Sequence, residues 1–236
     1  MRIPVLQTST VLHIGTLDPA LAGRNNYEGH CLAVSLCPLA WRRIAKLGGL
    51  PLWQLACDKG LYLDLLAAGR EKSLRRLIED WAVSAGYGTR AQIWRAWSTD
   101  EDGALVYSTH ATEALAREEA GEDLFFPNGS AVPSVESERV LTGTRRLIEH
   151  VRVTDLGACD AFDYVAIVWA EATQPALTGV WWQEQYAPER LSAPRGGIFP
   201  DRLGRFKASQ CSSAAWMDDE EETALHPARL PFDPQP

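Results

Sequence analysis

Apolar residues first gather over residues 10–16 (TVLHIGT), a pattern that predicts a strand closing on a glycine turn. Residues 18–29 are polar, carry Asn25 and Asn26 beside two glycines, and predict a loop. The short apolar run at 31–36 (CLAVSL) predicts a buried strand. Pro38 then opens a helix with Leu39, Trp41, Ile44, Ala45 and Leu47 on or near one face, and Gly48 and Gly49 stop it. Residues 52–55 and 61–65 predict two strand pieces about a turn at 58–60. In the next helix Leu74, Leu77, Ile78, Trp81 and Ala85 fall at helical spacing, opposite Arg75, Arg76, Glu79 and Asp80, and Gly86 ends it.

Residues 91–98 and 104–109 flank the turn sequence TDEDG and predict a hairpin. A short, mostly polar helix follows at 111–120, then a segment at 121–139 rich in Pro, Gly, Ser and Glu that predicts a loop or flap. Residues 147–153 and 162–171 predict strands, as do 178–182 and the short stretch 196–200. From residue 208 the periodicity dissolves into an acidic, Pro-rich sequence that predicts an extended or disordered tail. The order of elements predicts an α+β fold: a mixed, largely antiparallel sheet core with two to three helices packed on it. The expected organisation is one domain over 1–207 followed by the tail 208–236.

With 236 residues, 46% hydrophobic and 23% charged, the chain has an ordinary globular composition and enough length to bury a core without staples. The net charge of -8 excludes a generally basic nucleic-acid coat. Much of that excess lies in the tail, where Asp218, Asp219, Glu220, Glu221, Glu222 and Asp233 face Arg229 alone. Over 190–207, by contrast, Arg190, Arg195, Arg202, Arg205 and Lys207 face Asp201, a local patch that attracts anions. A phosphate-bearing ligand is therefore expected to bind locally or not at all.

No apolar run is long enough for a membrane span or a signal-peptide core, so no membrane partner is expected. Five cysteines at irregular spacing argue against a disulfide framework and for a reducing, cytoplasmic setting. No CxxC occurs. His30, Cys31 and Cys37 are close in sequence, but residues 31–37 read as one strand, so no metal is expected there. Cys31 and Cys37 lack the basic surroundings of a nucleophilic thiolate, and no Gly-rich phosphate loop is present. Asp160, Asp163 and Glu171 are conceivable metal-binding carboxylates that no spacing singles out.

The segment around Arg195, with Pro194 before it and Gly196 and Gly197 after it, holds the backbone to a defined path and offers a guanidinium for a phosphate or carboxylate. Trp181 and Trp182 occupy adjacent strand positions and so face opposite sides: one is expected in the core, the other along a groove. A carboxylate, Glu184, follows them.

His13, Gly15 and Thr16 on the first strand, Ser35 at the end of the second, a helix after it and a late acid after a strand form an order that resembles the ADP-ribosyltransferase superfamily. Here Ile14 stands between the His and the Gly, and Trp182 stands where many members carry Gln or Glu. The resemblance implies cleavage of the N-glycosidic bond of NAD, the sole cofactor it calls for. It further implies that His13 binds a ribose, that Gly15 and Thr16 flank nicotinamide and that Ser35 orients the site. Tyr27 would be the aromatic near the second strand, Arg195 would hold the pyrophosphate or the acceptor, and Glu184 would be the catalytic acid, with Glu171 competing for that role. The implied function is modification of a macromolecule, protein or nucleic acid, by a toxin or defence effector. The alternative from another class is a non-catalytic interaction module that binds a protein or nucleic-acid partner through a Trp-lined groove and the basic 190–207 loop.

Overall fold

The computed structural model describes residues 2–18, 27–28, 30–44, 46–99, 103–120, 124–125, 131–132, 134–154, 156, 160–184, 193–211 and 228–230. The elements run β1 (Val5–Ile14), β2 (Tyr27–Glu28), β3 (Cys31–Val34), α1 (Pro38–Ile44), β4 (Leu52–Asp64), α2 (Leu65–Arg70) and α3 (Lys72–Ser84). Next come β5 (Gly88–Thr99), β6 (Leu105–His110), α4 (Glu113–Glu119), β7 (Leu124–Phe125), β8 (Ala131–Val132), β9 (Val135–Gly143), α5 (Arg145–Val151) and α6 (Phe162–Thr173). The chain continues through β10 (Gly179–Trp182), β11 (Arg195–Ile198), a 3-10 helix at Pro200–Arg205, β12 (Lys207–Cys211) and β13 (Ala228–Leu230). The fold is α+β. No helix among the described residues is long and apolar enough to cross a membrane.

The main sheet has the order β13-β1-β4-β10-β11-β3-β2, with β12 added beside the first half of β4. Among its described pairs only β10 and β4 run parallel. The sheet curls until β1 meets the end of β3, leaving β13 and β2 outside the closure. Leu12 and Ser35 exchange two backbone hydrogen bonds, of 2.9 and 2.8 Å, which close a ring of β1, β4, β10, β11 and β3.

Alternation along these strands then sorts side chains to two buried faces. Leu6, Val11, Leu32, Val34, Leu55, Tyr62, Trp181 and Ile198 form one cluster, with at least one residue from each strand of the ring. Trp181 and Tyr62 meet edge to face at its centre, their ring centroids 5.7 Å apart. Cys31, Leu61, Leu63, Val180 and Trp182, the sequence neighbours of that set, belong to the larger cluster with the helices α2, α3, α5 and α6. Close approach of β11 to the Trp181 ring requires Gly196, because a Cβ there would overlap the indole. A second, three-stranded sheet of β6, β5 and β9 stands beside this body, with α4 against it.

Several expectations change. Residues 147–153 and 162–171 are not strands. In α5 the Thr144 hydroxyl caps the Leu147 N–H, and Leu147 and Val151 are buried one turn apart. In α6 every residue from Val165 to Ala170 is buried. A helix covered on all sides shows no polar stripe, so its apolar run reads equally as a strand.

Residues 52–64 form one strand, not two pieces about a turn. The expected turn is instead a shift of register against β1 between Thr8 and Thr10, the mark of a bulge. Residues 135–139, expected within a loop, form the more exposed first half of strand β9, whose Val140 and Leu141 are buried. Segments 207–211 and 228–230 of the expected tail region pair with β4 and β1. Most of the 18–29 loop, the hairpin tip at 100–102, Arg190 and the acidic residues 218–222 lie outside the described residues.

Replacing Gly196 by Ala is expected to lower the unfolding free energy by about 1–3 kcal/mol, the usual cost of overpacking a core. Gly48→Ala, where an added Cβ meets nothing within 4 Å, is expected to stay within about 0.5 kcal/mol of the parent. Urea unfolding followed by tryptophan fluorescence measures both.

Candidate functional site

β10 delivers Glu184 to the surface two residues beyond Trp182, and antiparallel pairing sets Trp182 opposite Arg195. The Arg195 guanidinium donates to Glu184 Oε1 at 3.1 Å. It also lies against the rings of Trp41 and Trp182, at 5.4 and 5.2 Å from their centroids. The Trp182 indole N–H in turn donates to Asp163 Oδ2 at 3.2 Å. Asp163 sits in the first turn of α6. Asp163 is exposed as a residue, but desolvation of its carboxyl pushes its pKa above the usual range; the Trp182 hydrogen bond and the Arg195 charge oppose this, and the charges of Asp160 and Glu184 add to it. Gln183 donates to Asp64, whose other oxygen caps α2 through the Ala67 N–H at 3.0 Å.

Of these groups Asp163, Trp182, Gln183 and Glu184 line a cavity of about 460 Å³. Its acids are Asp160, Asp163 and Glu184, its bases Arg70 and Arg75, and its rings Phe162 and Trp182. Arg75 bonds Glu79 and Asp160 and stacks on Phe162, 4.6 Å from the ring centroid.

The other sequence-predicted residues are placed elsewhere. His13 is 1% exposed, with Nδ1 2.7 Å from the Ala33 carbonyl and Nε2 2.9 Å from the Thr16 carbonyl. It ties the end of β1 to β3. Gly15 adopts φ 124°, which only glycine accepts readily. Its N–H donates to Pro51 and its carbonyl accepts from the Trp53 indole. The Thr16 hydroxyl accepts from the Asp18 N–H. Ser35 is buried, donates to the Pro194 carbonyl at 3.1 Å and accepts from the Cys37 N–H at 2.8 Å. None of His13, Gly15, Thr16 and Ser35 lines the Glu184 cavity. The Tyr27 side chain lies outside the described residues. Glu184 and Arg195 are thus brought together, and Ser35 reaches the same corner through Pro194.

Glu171, the competing acid, closes the other end of α6. It is eight residues beyond Asp163, about 12 Å along the axis. Burial works against its ionisation, but hydrogen bonds from His150 and His30, with their charges, outweigh burial and hold its carboxyl at about 2. These three residues line a second cavity of about 570 Å³. Sequence reasoning missed this grouping because its members come from three distant segments with no characteristic spacing. Cys31 and Cys37, considered together with His30, are buried in two different clusters.

Compared with known protein families, with curated proteins and with solved structures, the chain matches none.

The His13 contacts carry a pH dependence. A neutral ring can donate to only one of its two carbonyls. Burial nevertheless lowers its pKa below the usual 6.5, against the pull of both. The unfolded chain therefore takes up a proton first, and the stability due to neutral His13, complete above pH 6.5, falls as pH drops through that value. Chemical unfolding from about pH 8 to about pH 5 is expected to show the advantage of the parent over His13→Gln shrinking toward acid. A constant difference would mean that His13 titrates alike in the folded and unfolded chain.

Proposed function

We propose that the chain is an NAD-consuming enzyme of the ADP-ribosyltransferase type, working at the Glu184 cavity. The observation that carries this reading is a pair of carboxyls in unlike surroundings on one wall. Glu184 is held by the Arg195 guanidinium, while desolvation of the Asp163 carboxyl raises its pKa. Two carboxyls facing one cavity are the usual equipment for breaking a glycosidic bond.

In this reading the bond between ribose C1′ and the nicotinamide nitrogen breaks heterolytically. The bonding electrons leave with nicotinamide and neutralise its ring. Positive charge develops on the ribose, and the Glu184 carboxylate stabilises it and fixes the 2′-hydroxyl. An acceptor nucleophile then bonds to C1′, and its proton passes to the ionised Asp163 carboxylate, whose raised pKa makes it a better proton acceptor. Phe162 and Trp182 offer surfaces for the departing ring, and Arg70 and Arg75 on the same wall supply positive charge for the diphosphate.

Arg195 acts here by orienting Glu184, a change from its sequence-level role as a phosphate grip. His13 holds β1 to β3 and leaves ribose binding to the cavity wall. The acceptor is a macromolecule, protein or nucleic acid, and the setting is the cytoplasm of a cell that the enzyme attacks or defends.

Purified protein is expected to release nicotinamide from NAD, measured by chromatography with and without cell extract as a source of acceptor. Glu184→Gln should reduce release by about 100-fold or more, the scale of losing one group aimed at transition-state charge. Asp163→Asn should slow transfer to the acceptor more than it slows nicotinamide release. No turnover and no NAD-dependent thermal shift at millimolar NAD would overturn the reading.

A further inference from the structure

At the far end of α6 His30, His150 and Glu171 converge from three elements with their donor atoms aimed at one point. His30 Nε2 lies 2.8 Å and His150 Nε2 3.2 Å from the same oxygen, Glu171 Oε2. One donor atom from each residue lies within 4.8 Å of the others. Tetrahedral zinc, with bonds of about 2.0–2.1 Å, sets neighbouring donor atoms roughly 3.3 Å apart. The two imidazole-to-carboxylate spacings, 2.8 and 3.2 Å, reach that arrangement with shifts of about half an ångström. From this geometry we propose that His30, His150 and Glu171 form a binding site for a single divalent transition-metal ion, zinc by its donor set.

Each donor is fixed by packing. His30 is 6% exposed and immediately precedes β3. Its ring meets that of His150 edge to face at 5.0 Å, and the Tyr87 ring meets His150 the same way at 5.5 Å. Tyr87 is itself stacked on Trp81 at 5.6 Å. Glu171 sits in the last turn of α6, where Arg202 donates to its backbone carbonyl at 3.4 Å. Two imidazoles and one carboxylate, without a thiolate, make a borderline set suited to zinc and unlike the all-oxygen shells of magnesium or calcium.

All three donors line the cavity of about 570 Å³, which also has Tyr87, Arg152 and Asp201 on its walls. Three protein ligands leave a fourth position for water or a bound anion, the arrangement of metal sites that act on substrates and not of closed structural ones. Both histidines share hydrogen bonds with the same carboxylate oxygen, which hold the three side chains nearly in place.

The site is independent of the Glu184 cavity and is tested separately from it. The full chain, stripped with a chelator and dialysed, is titrated with cobalt(II) followed by its visible bands and with zinc(II) followed by calorimetry. One equivalent is expected to bind, with the intense visible absorption of a four-coordinate site and a rise in the unfolding midpoint. His150→Ala, at a half-exposed position where the fold should be retained and circular dichroism can check it, should lose more than about 100-fold in affinity. That exceeds the loss from removing a group that only orients a ligand. Glu171→Gln should weaken binding in the same direction, while Glu184→Gln should bind like the parent. Equal affinity in the parent and in His150→Ala, absence of binding in the parent, or sulfur-to-cobalt charge-transfer bands that indicate cysteine ligands would each overturn the assignment.

Discussion

The alternation of β10 is the constraint on which the rest of the molecule depends. Trp181 is wholly buried inside the strand ring, edge to face with Tyr62. Its neighbour Trp182 must then point outward, toward α6 and Arg195. A slip of one residue would exchange the two indoles and move the partner of Asp163 into the core. The register is protected from both sides. The Leu12–Ser35 bonds close the ring around Trp181, and Gly196 leaves room for its indole on β11. With that parity fixed, Glu184 emerges beside Arg195 and not beneath the sheet.

α6 is the second organising element. Its middle is buried on every side and contributes only apolar contacts. Its polar chemistry is confined to the ends: Asp163 reaches one cavity and Glu171 the other. Burial opposes ionisation at both positions, yet the two carboxyls shift in opposite directions. Asp163 receives one indole hydrogen bond and the attraction of Arg195, but the repulsion of neighbouring acids leaves desolvation dominant. Glu171 receives two imidazoles, which overcome it. One helix thus carries two carboxyls in different surroundings, one bonded to Trp182 near Glu184 and one held by two imidazoles near His30.

The fold class was legible because enough elements are half exposed. The α3 helix has a charged face, so its period shows in the letters, and the β5–β6 hairpin announces itself at TDEDG. α6 hid for the opposite reason, since residues buried on all sides carry no polar marker. β9 hid because its exposed positions are charged and look like loop. Glu184 and Arg195 were legible as types, an acid after paired tryptophans and a guanidinium in a stiff loop. Their meeting depends on the Trp182–Arg195 pairing across β10 and β11, which no local pattern encodes. His13 misled because a histidine on an apolar strand suits a ligand and a backbone tie equally well. The His30–His150–Glu171 grouping exists only once the ring and the helices have assembled.

The most direct measurement is a crystal structure of Glu184→Gln grown with NAD, since the variant should bind the dinucleotide and barely turn it over. The account predicts nicotinamide and its ribose beside Trp182 and the substituted position 184, with the diphosphate toward Arg70. NAD bound at the His30 cavity, or a Glu184 cavity that stays empty at saturating NAD, would contradict it.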